Sequence, residues 1–423
     1  MKIVHISNSV SNSSANTKLH NALLKQEIQS QILVLCHSGD IKETFDLERS
    51  FFRKVYDVIL NYCEENHLKK INFKYGFPFS TGNKGYSLYK KDIIKEADVI
   101  HLHWICGILN AYEIKRLQLL GKPIVWTCHD SWPFTGGCHV RYGCTKYENQ
   151  CGCCDMIQSK KENDLSYQIL KKKKKFFKDN SITFIAPSSW MTESIKNSNL
   201  FHTNRIVMIP NAIDTDKYRP LNELELKNNI GSNKWKQNIN ILFGAGDIRI
   251  PYKGMEYLKQ LLKYVKETKP DIASKIVLHI VGQNNNDREL MDMFKCIYWG
   301  YINEPEKMAA LYTLVDFMIY PSLDDNLPNM IMESMSCGTP VIAFRVGGIP
   351  DMIDHKKNGY LAEYKNISDM AEGIEWIIMN NTYNRLGLEA RKKVIDNYSE
   401  EIIARKHIEL YKTLLNNGDS HRM

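Results

Sequence analysis

The chain has 423 residues, enough for two or three domains, with 43% hydrophobic and 25% charged residues, as in an ordinary water-soluble globular protein. No run of about 18 apolar residues occurs, which excludes a spanning helix. The polar start MKIVHISNSVSNSS reads as a first strand and turn rather than a signal peptide, so the protein is expected in the cytoplasm. The net charge of +8 is concentrated in the first half: residues 1–205 carry 29 basic against 19 acidic groups, and the remainder carries 27 against 29. A basic face suits nucleic acid or an anionic membrane, and no nucleic-acid recognition motif accompanies this one.

Short apolar runs alternate with helical stretches along the chain. In the first half these are Lys2–Ser7, Ile32–Cys36, Val99–Trp104, Pro123–Cys128 and Thr183–Ser188. In the second they are Asn240–Asp247, Lys275–Gly282, Cys296–Ile302, Phe317–Ser322 and Pro340–Phe344. Strands spaced by helices over about 30 residues predict βαβ units and parallel sheets. Two such series, parting near Leu200–Asn211, predict two Rossmann-like domains. Ser399–Asn417 has apolar residues at helical spacing and no breaker, which predicts a long terminal helix.

Two basic segments stand out. Ser50–Cys63 mixes aromatics with Arg53 and Lys54, and KKKKKFFK fills Lys171–Lys178. Polybasic surface beside aromatic residues suits peripheral contact with an anionic membrane, and a solvated helix face is the plainer reading. Five of the eleven cysteines fall between Cys138 and Cys154, in the pattern C-x5-C-x6-C-x-C-C, with His139 alongside. A reducing compartment argues against disulfides. Cys151 and Cys154 form a C-x2-C knuckle that Cys138 and Cys144 would complete as a structural zinc site, the alternative being a cysteine-rich loop that simply packs. His129 and Asp130 follow the strand Pro123–Cys128 and are expected at its carboxyl end, where Asp130 can orient the imidazole or meet an acceptor hydroxyl.

The stretch Tyr320–Gly348 carries the most chemistry. An apolar strand runs into a loop with Asp324 and Asp325, passes Pro328, and becomes a short helix holding Glu333 before Gly338 and Pro340 end it. Backbone N–H groups at a helix start attract phosphate, and flanking carboxylates accept hydrogen bonds from sugar hydroxyls. That combination suits a nucleotide-sugar diphosphate.

This segment resembles the acid-x7-acid donor motif of glycosyltransferase family 4, a retaining family. Ala186–Ile195, Ile209–Pro220, Tyr252–Gly254, Val281–Gln283 and Tyr301–Asp316 follow the family's order. His129–Val140 (HDSWPFTGGCHV) is similar to a subgroup often encoded with surface-polysaccharide genes. The resemblance implies an α/β GT-B fold: two Rossmann-like domains facing across a cleft, an acceptor-side domain over 1–204 and a nucleotide-sugar domain over 205–399, with 400–423 returning to the first. It places Lys253 on the donor diphosphate, assisted by Arg249, which stands one position closer to the lysine than in the family pattern. Glu333 would hold the ribose. Asp325 takes the place of the family's usual glutamate facing the donor sugar; being one methylene shorter, it needs a closer loop or help from Asp324. Asn326, Leu327 and Asn329 would lie in a main-chain cradle over Asn326–Met330, with helix capping as the alternative for Asn329. Gly347 and Gly348 are positions of close backbone approach or a plain turn. Ser13 and Ser14 replace the family's Gly-Gly in the first βα loop, and His129 would lie near the transferred sugar.

The implied reaction moves a sugar from a nucleotide diphosphate to a hydroxyl of a glycan or lipid-linked glycan, with retention, in capsule, exopolysaccharide or O-antigen synthesis. His129, Asp130, Lys253 and Asp325 would act in it, with no metal or cofactor required. An inactive nucleotide-sugar or glycan binder, an epimerase and a phosphorylase on the same fold are the rivals. The choice of UDP or GDP, the sugar, the acceptor, the linkage and the oligomeric state are not legible in the sequence.

Overall fold

The computed structural model describes residues 1–69, 71, 73–74, 79–177, 180–231, 238–283, 287–380 and 382–419. Lys178 of the basic run and residues 420–423 lie outside the described residues. The chain divides into two compact units, Met1–Pro210 with Ile403–Met423, and Asn211–Ile402.

In the first unit the order is β1 (Lys2–Val10), α1 (Ala15–Lys25), β2 (Gln29–His37), β3 (Thr44–Asp46), α2 (Phe51–Lys69), α3 (Asp92–Lys95), β4 (Val99–Leu102), α4 (Ala111–Gln118), β5 (Ile124–Thr127), α5 (Leu165–Phe176), β6 (Ile182–Ala186), α6 (Ser189–Asn197) and β7 (Ile206–Met208). The sheet runs β3-β2-β1-β4-β5-β6-β7, all parallel. β4, β5 and β6 are buried at every residue, so their apolar runs are continuous rather than alternating. Side-chain caps start the helices where the chain turns off the sheet: Asn110 for α4, Asp164 for α5 and Ser188 for α6.

The second unit holds α7 (Glu223–Ile230), β8 (Ile239–Asp247), α8 (Met255–Thr268), α9 (Pro270–Ala273), β9 (Ile276–Gln283), α10 (Arg288–Met293), β10 (Lys295–Gly300), α11 (Pro305–Leu314), β11 (Phe317–Tyr320), α12 (Asn329–Ser336), β12 (Val341–Phe344), α13 (Ile349–Met352), β13 (Gly359–Ala362), α14 (Ile367–Met379) and α15 (Tyr383–Tyr398). Its parallel sheet runs β10-β9-β8-β11-β12-β13. In both sheets the strand order reverses beside the first strand, at β1/β4 and at β8/β11. Loops leaving the carboxyl ends there open the crevice in which such sheets bind ligands.

The last helix, α16 (Glu400–Asp419), joins the first unit, where Tyr411 is fully buried. Its hydroxyl lies 2.7 Å from His101 Nδ1 on β4, and His101 Nε2 lies 2.7 Å from Thr127 Oγ1.

Two basic segments differ from the simple surface expected of them. Within Lys171–Lys175, Lys173 is only 3% exposed. Its ammonium donates to the carbonyls of Trp132 and Thr135 and sits 3.7 Å from the centroid of the Trp132 ring. Burial drives its pKa down to about 8, against the pull of nearby Cys106, Cys151 and Asp130. One side of α5 must face the core, and the third of five consecutive lysines falls on that side. α2 is inverted in the opposite sense. Asp57 faces inward, accepting from Arg53 Nε at 3.1 Å and from Tyr86, while Phe51, Phe52, Val58 and Tyr62 are 67–83% exposed.

Lys173→Met should cost about 1.5–3 kcal/mol, since it leaves two buried carbonyls without a charged donor. Lys171→Met, at an exposed site, should be near neutral. Urea denaturation of the two variants against wild type checks this, and equal midpoints for all three would contradict the buried placement.

Candidate active site

In the second unit, β11 delivers Tyr320 and the loop Pro321–Pro328 to the β8/β11 switch point, and Lys253 arrives from the turn before α8. The three polar ends meet. Lys253 Nζ lies 2.7 Å from Asp325 Oδ2 and 3.3 Å from the Tyr320 hydroxyl, and that hydroxyl donates to Asp325 Oδ2 at 2.7 Å. Both charged side chains are largely buried, at 19% and 16% exposure. Burial alone would lower the lysine's pKa; the Asp325 charge, with Tyr320 and Tyr252, holds it well above the ordinary value, so the ammonium persists.

Gly347 holds this loop from the other side. Its φ is +58°, and a Cβ there would fall 1.8 Å from the Asp325 carbonyl oxygen, while Gly348 N–H donates to that oxygen at 3.1 Å. Its close approach is therefore to the protein's own loop.

Asn326 and Leu327 are buried just ahead of α12. Pro328, not Asn329, is the N-cap of that helix. Asn329 is its first residue, so the capping alternative is corrected: a proline precedes it with the extended backbone a cap needs. Asn329 Oδ1 is buried with no protein partner, an acceptor suited to a ligand donor. Glu333, one turn on, is 7% exposed and accepts from the Tyr312 hydroxyl at 3.1 Å. Arg249 is not gathered into this group. It is exposed and forks onto Asp247, with Nε at 3.2 Å and Nη2 at 2.9 Å.

In the first unit His129 and Asp130 leave β5 together. Asp130 Oδ2 receives His139 Nδ1 at 2.6 Å, and Oδ1 receives Trp132 N–H at 2.9 Å. Burial works to raise the Asp130 pKa. The charge and hydrogen bond of His139, with Trp132 and His129, outweigh it and hold the carboxyl below its usual range. His139 Nε2 contacts Ser80 Oγ at 2.9 Å.

Beside Ser80 a cavity of about 410 Å³ opens at the β1/β4 switch point, lined by Asn8, Glu64, Phe79, Lys84 and Trp104 among others. Two aromatic faces with carboxylate, amide and ammonium groups suit a sugar. His129 Nε2 meets His103 Nδ1 at 3.0 Å, and His103 Nε2 meets His5 Nδ1 at 2.8 Å. Burial lowers His129 to about 4 despite the opposing Asp130 charge, so its imidazole is neutral near pH 7. Ser13 and Ser14 sit in the first βα loop of this unit with ordinary backbone. Ser14 Oγ donates to the Ser11 carbonyl at 2.8 Å, and Ser13 Oγ lies 3.2 Å from Ser11 Oγ.

The sequence reading did not assign Tyr320, Tyr312, His103 or the His139–Asp130 pair. A signal existed for His103, since His101-x-His103 on a strand puts both rings on one face.

Each unit thus gathers polar side chains at the switch point of its sheet, around the cavity beside Ser80 in the first and around Lys253 and Asp325 in the second. Residues 17–217 match the model of glycosyltransferase family 4, and residues 239–380 match that of the group 1 glycosyl transferases. The chain belongs to the group 1, family 4 glycosyltransferases, with the GT-B fold. It is 25% identical over 346 residues to an uncharacterized glycosyltransferase of Haemophilus influenzae, covering 80% of this chain and 83% of that one. Over 205 residues it is 25% identical to the UDP-Gal:alpha-D-GlcNAc-diphosphoundecaprenol alpha-1,3-galactosyltransferase of Escherichia coli, a match that covers 46% of this chain and 51% of the relative. The solved structure of Anabaena HepE in complex with UDP and glucose superimposes with a TM-score of 0.63 at 13% identity, covering 98% of this chain and all of that one.

Gly347→Ala should cost about 1–3 kcal/mol through left-handed strain and the clash with Asp325, whereas Gly246→Ala, which meets nothing within 4 Å, should cost under about 1 kcal/mol. Thermal unfolding of both variants tests the difference.

The buried histidines set a pH limit on stability. His5, His101, His103, His129 and His407 are all held below the ordinary pKa, chiefly by burial, with His129 and His407 at about 4. Below pH 6.5 the unfolded chain binds protons that the folded unit refuses, so stability falls as pH drops from 6.5 towards 4. The loss is up to about 1.4 kcal/mol per pH unit for each histidine. Urea midpoints should fall steeply between pH 6.5 and 5, and a flat profile there would contradict the neutral cluster.

Proposed function

We propose that the protein is a retaining, metal-independent glycosyltransferase that moves a sugar from a nucleotide diphosphate to a hydroxyl of a glycan or lipid-linked glycan at the cytoplasmic face of the membrane. The observation that carries this is the buried Lys253–Asp325–Tyr320 group beside the α12 start, where Asn329 Oδ1 stands unpaired. Lys253 is kept charged and placed to offset the negative charge that grows on the departing diphosphate. Asp325 accepts hydrogen bonds from the donor sugar, and Glu333 does so from the ribose. Neutral His129 contributes a hydrogen bond to the transferred sugar rather than a charge. Attack comes from the face of the leaving group, whose phosphate oxygen takes the acceptor proton, so catalysis rests on positioning and charge stabilisation. The acceptor occupies the cavity beside Ser80 and Trp104. Arg249, turned to Asp247, reaches the diphosphate only if it exchanges partners on donor binding.

Lys253→Ala should lower the transfer rate, and Glu333→Gln should weaken nucleotide binding, each by about 1.5–3 kcal/mol, roughly tenfold to a hundredfold. Free nucleotide diphosphate should form only when acceptor is present, and should form at the same rate with or without added magnesium or manganese. Wild-type kinetics in both variants, with a confirmed donor, would move the donor site elsewhere. Donor turnover without acceptor would favour an epimerase or hydrolase, and none at all a binding protein.

Membrane contact is supported by α2, which turns its aromatic residues outward, and by the exposed Lys171, Lys172 and Lys175 on α5. Among the described residues no helix is long and apolar enough to cross a membrane. A lipid-linked acceptor must be met at the surface, and the acceptor-side unit carries the whole basic excess. Each Lys or Arg near an anionic surface contributes about 1 kcal/mol. Wild type should sediment with anionic liposomes at low salt, and Phe51→Ser/Phe52→Ser should release it. Absence of wild-type sedimentation, or a dimer that the same pair of changes dissolves, would reassign the α2 face to a soluble partner or a second copy.

A further inference from the structure

Four of the five clustered cysteines surround one small cavity, and a backbone hook turns the fifth away from it. The cavity is about 30 Å³, lined by Cys138, Cys144, Cys151 and Cys154 with Arg141 and Tyr147. Roughly 10–15 Å³ suffices for one small bound species. Cys153, between the last two, does not line it: its Sγ turns to the Lys160 carbonyl at 3.4 Å.

The turn that makes this separation is specific. Gly152 has φ +140°, where a Cβ would fall 2.0 Å from the Glu162 carbonyl oxygen, and Cys153 follows at φ +43° with its N–H on the Lys161 carbonyl at 2.8 Å. The hook therefore points Cys151 and Cys154 inward and Cys153 out.

Asp164 Oδ2 holds Cys154 N–H at 2.9 Å, which secures the knuckle from behind. The charge is also matched: four thiolates around a dication leave a net charge of −2, and Arg141 and the buried Lys173 stand beside the cluster.

We infer that Cys138, Cys144, Cys151 and Cys154 form a tetrahedral zinc site that pins the loop carrying His139 against Asp130. The sulfurs ring the cavity more loosely than a bound ion would hold them; Cys144, exposed on the turn closed by its N–H to the Arg141 carbonyl at 2.9 Å, is the arm that closes on the metal. A rival cluster, His5, His101 and His103, has ligand atoms within 4.8 Å of one another. Of its six nitrogens only His5 Nε2 has no protein partner, the other five being held by one another, His129, Thr127 and Tyr411, and the cluster offers no negative charge to a buried dication.

The test needs no substrate, so it stands or falls apart from the proposed activity. Protein purified without an affinity tag or chelator is assayed for metal and for thiols under denaturation. The expected result is about one zinc per chain, released when a mercurial titrates the thiols, with all eleven cysteines reduced. Cys144→Ser, at an exposed position, should lose the zinc while keeping its far-ultraviolet circular dichroism. Cys153→Ser should keep the zinc. Wild type that neither holds zinc nor takes up an added equivalent overturns the site, as does a Cys138–Cys154 disulfide in its place. Full zinc content in Cys144→Ser would overturn the four-thiolate set.

Discussion

A charge withdrawn from water must be matched, and in the second unit Lys253 is matched by Asp325. The pair does more than cancel charge. Lys253 comes from the turn before α8 and Asp325 from the loop after β11, so their contact ties together the two connections that leave the switch point of the sheet. Tyr320, at the last position of β11, completes the triangle and fixes which carboxylate oxygen faces the lysine. Gly347 closes the same loop by leaving room for the Asp325 carbonyl, to which Gly348 N–H donates, where any side chain would collide. The start of α12 is held by what this loop can and cannot do.

The first unit solves the matching problem with neutral groups. Six histidines, His5, His20, His101, His103, His129 and His407, lie in or beside one buried layer, and burial keeps each below its ordinary pKa. Neutral imidazoles can donate through one nitrogen and accept through the other, so a chain of them orders itself without a counter-ion. That chain ends at His129, beside Asp130 and His139. The layer also receives the last helix: α16 contributes His407 and the hydroxyl of Tyr411 to β4. The end of the chain is thereby bound to the strand whose next residues face the cavity at Trp104.

The same rule explains the two basic segments. Lys173 is drawn inside because two carbonyls and the Trp132 face replace its water, and Asp57 is drawn inside because Arg49, Arg53, Lys84 and Tyr86 surround it. Once Asp57 claims the inner side of α2, the aromatic residues have only the outer side left. An exposed apolar stripe flanked by basic residues is thus a consequence of one buried carboxylate.

Much of this molecule was legible in its sequence. Runs of valine and isoleucine spaced by helices specified two parallel sheets, because a strand buried on both faces has no polar positions to spare. The order of short motifs specified the family, and the loop-to-helix segment around Asp325 and Glu333 marked a candidate site for phosphate and hydroxyls. Both properties are local, set by neighbours a few residues apart. Pairings over long separations were not legible. That Lys253 meets Asp325 through Tyr320, that Arg249 turns to Asp247, that His139 and not solvent holds Asp130, and that Lys173 alone of five lysines is buried were decided only by tertiary structure. A side chain's partner depends on which strands become neighbours and how loops return over them, and periodicity along the chain carries no record of that.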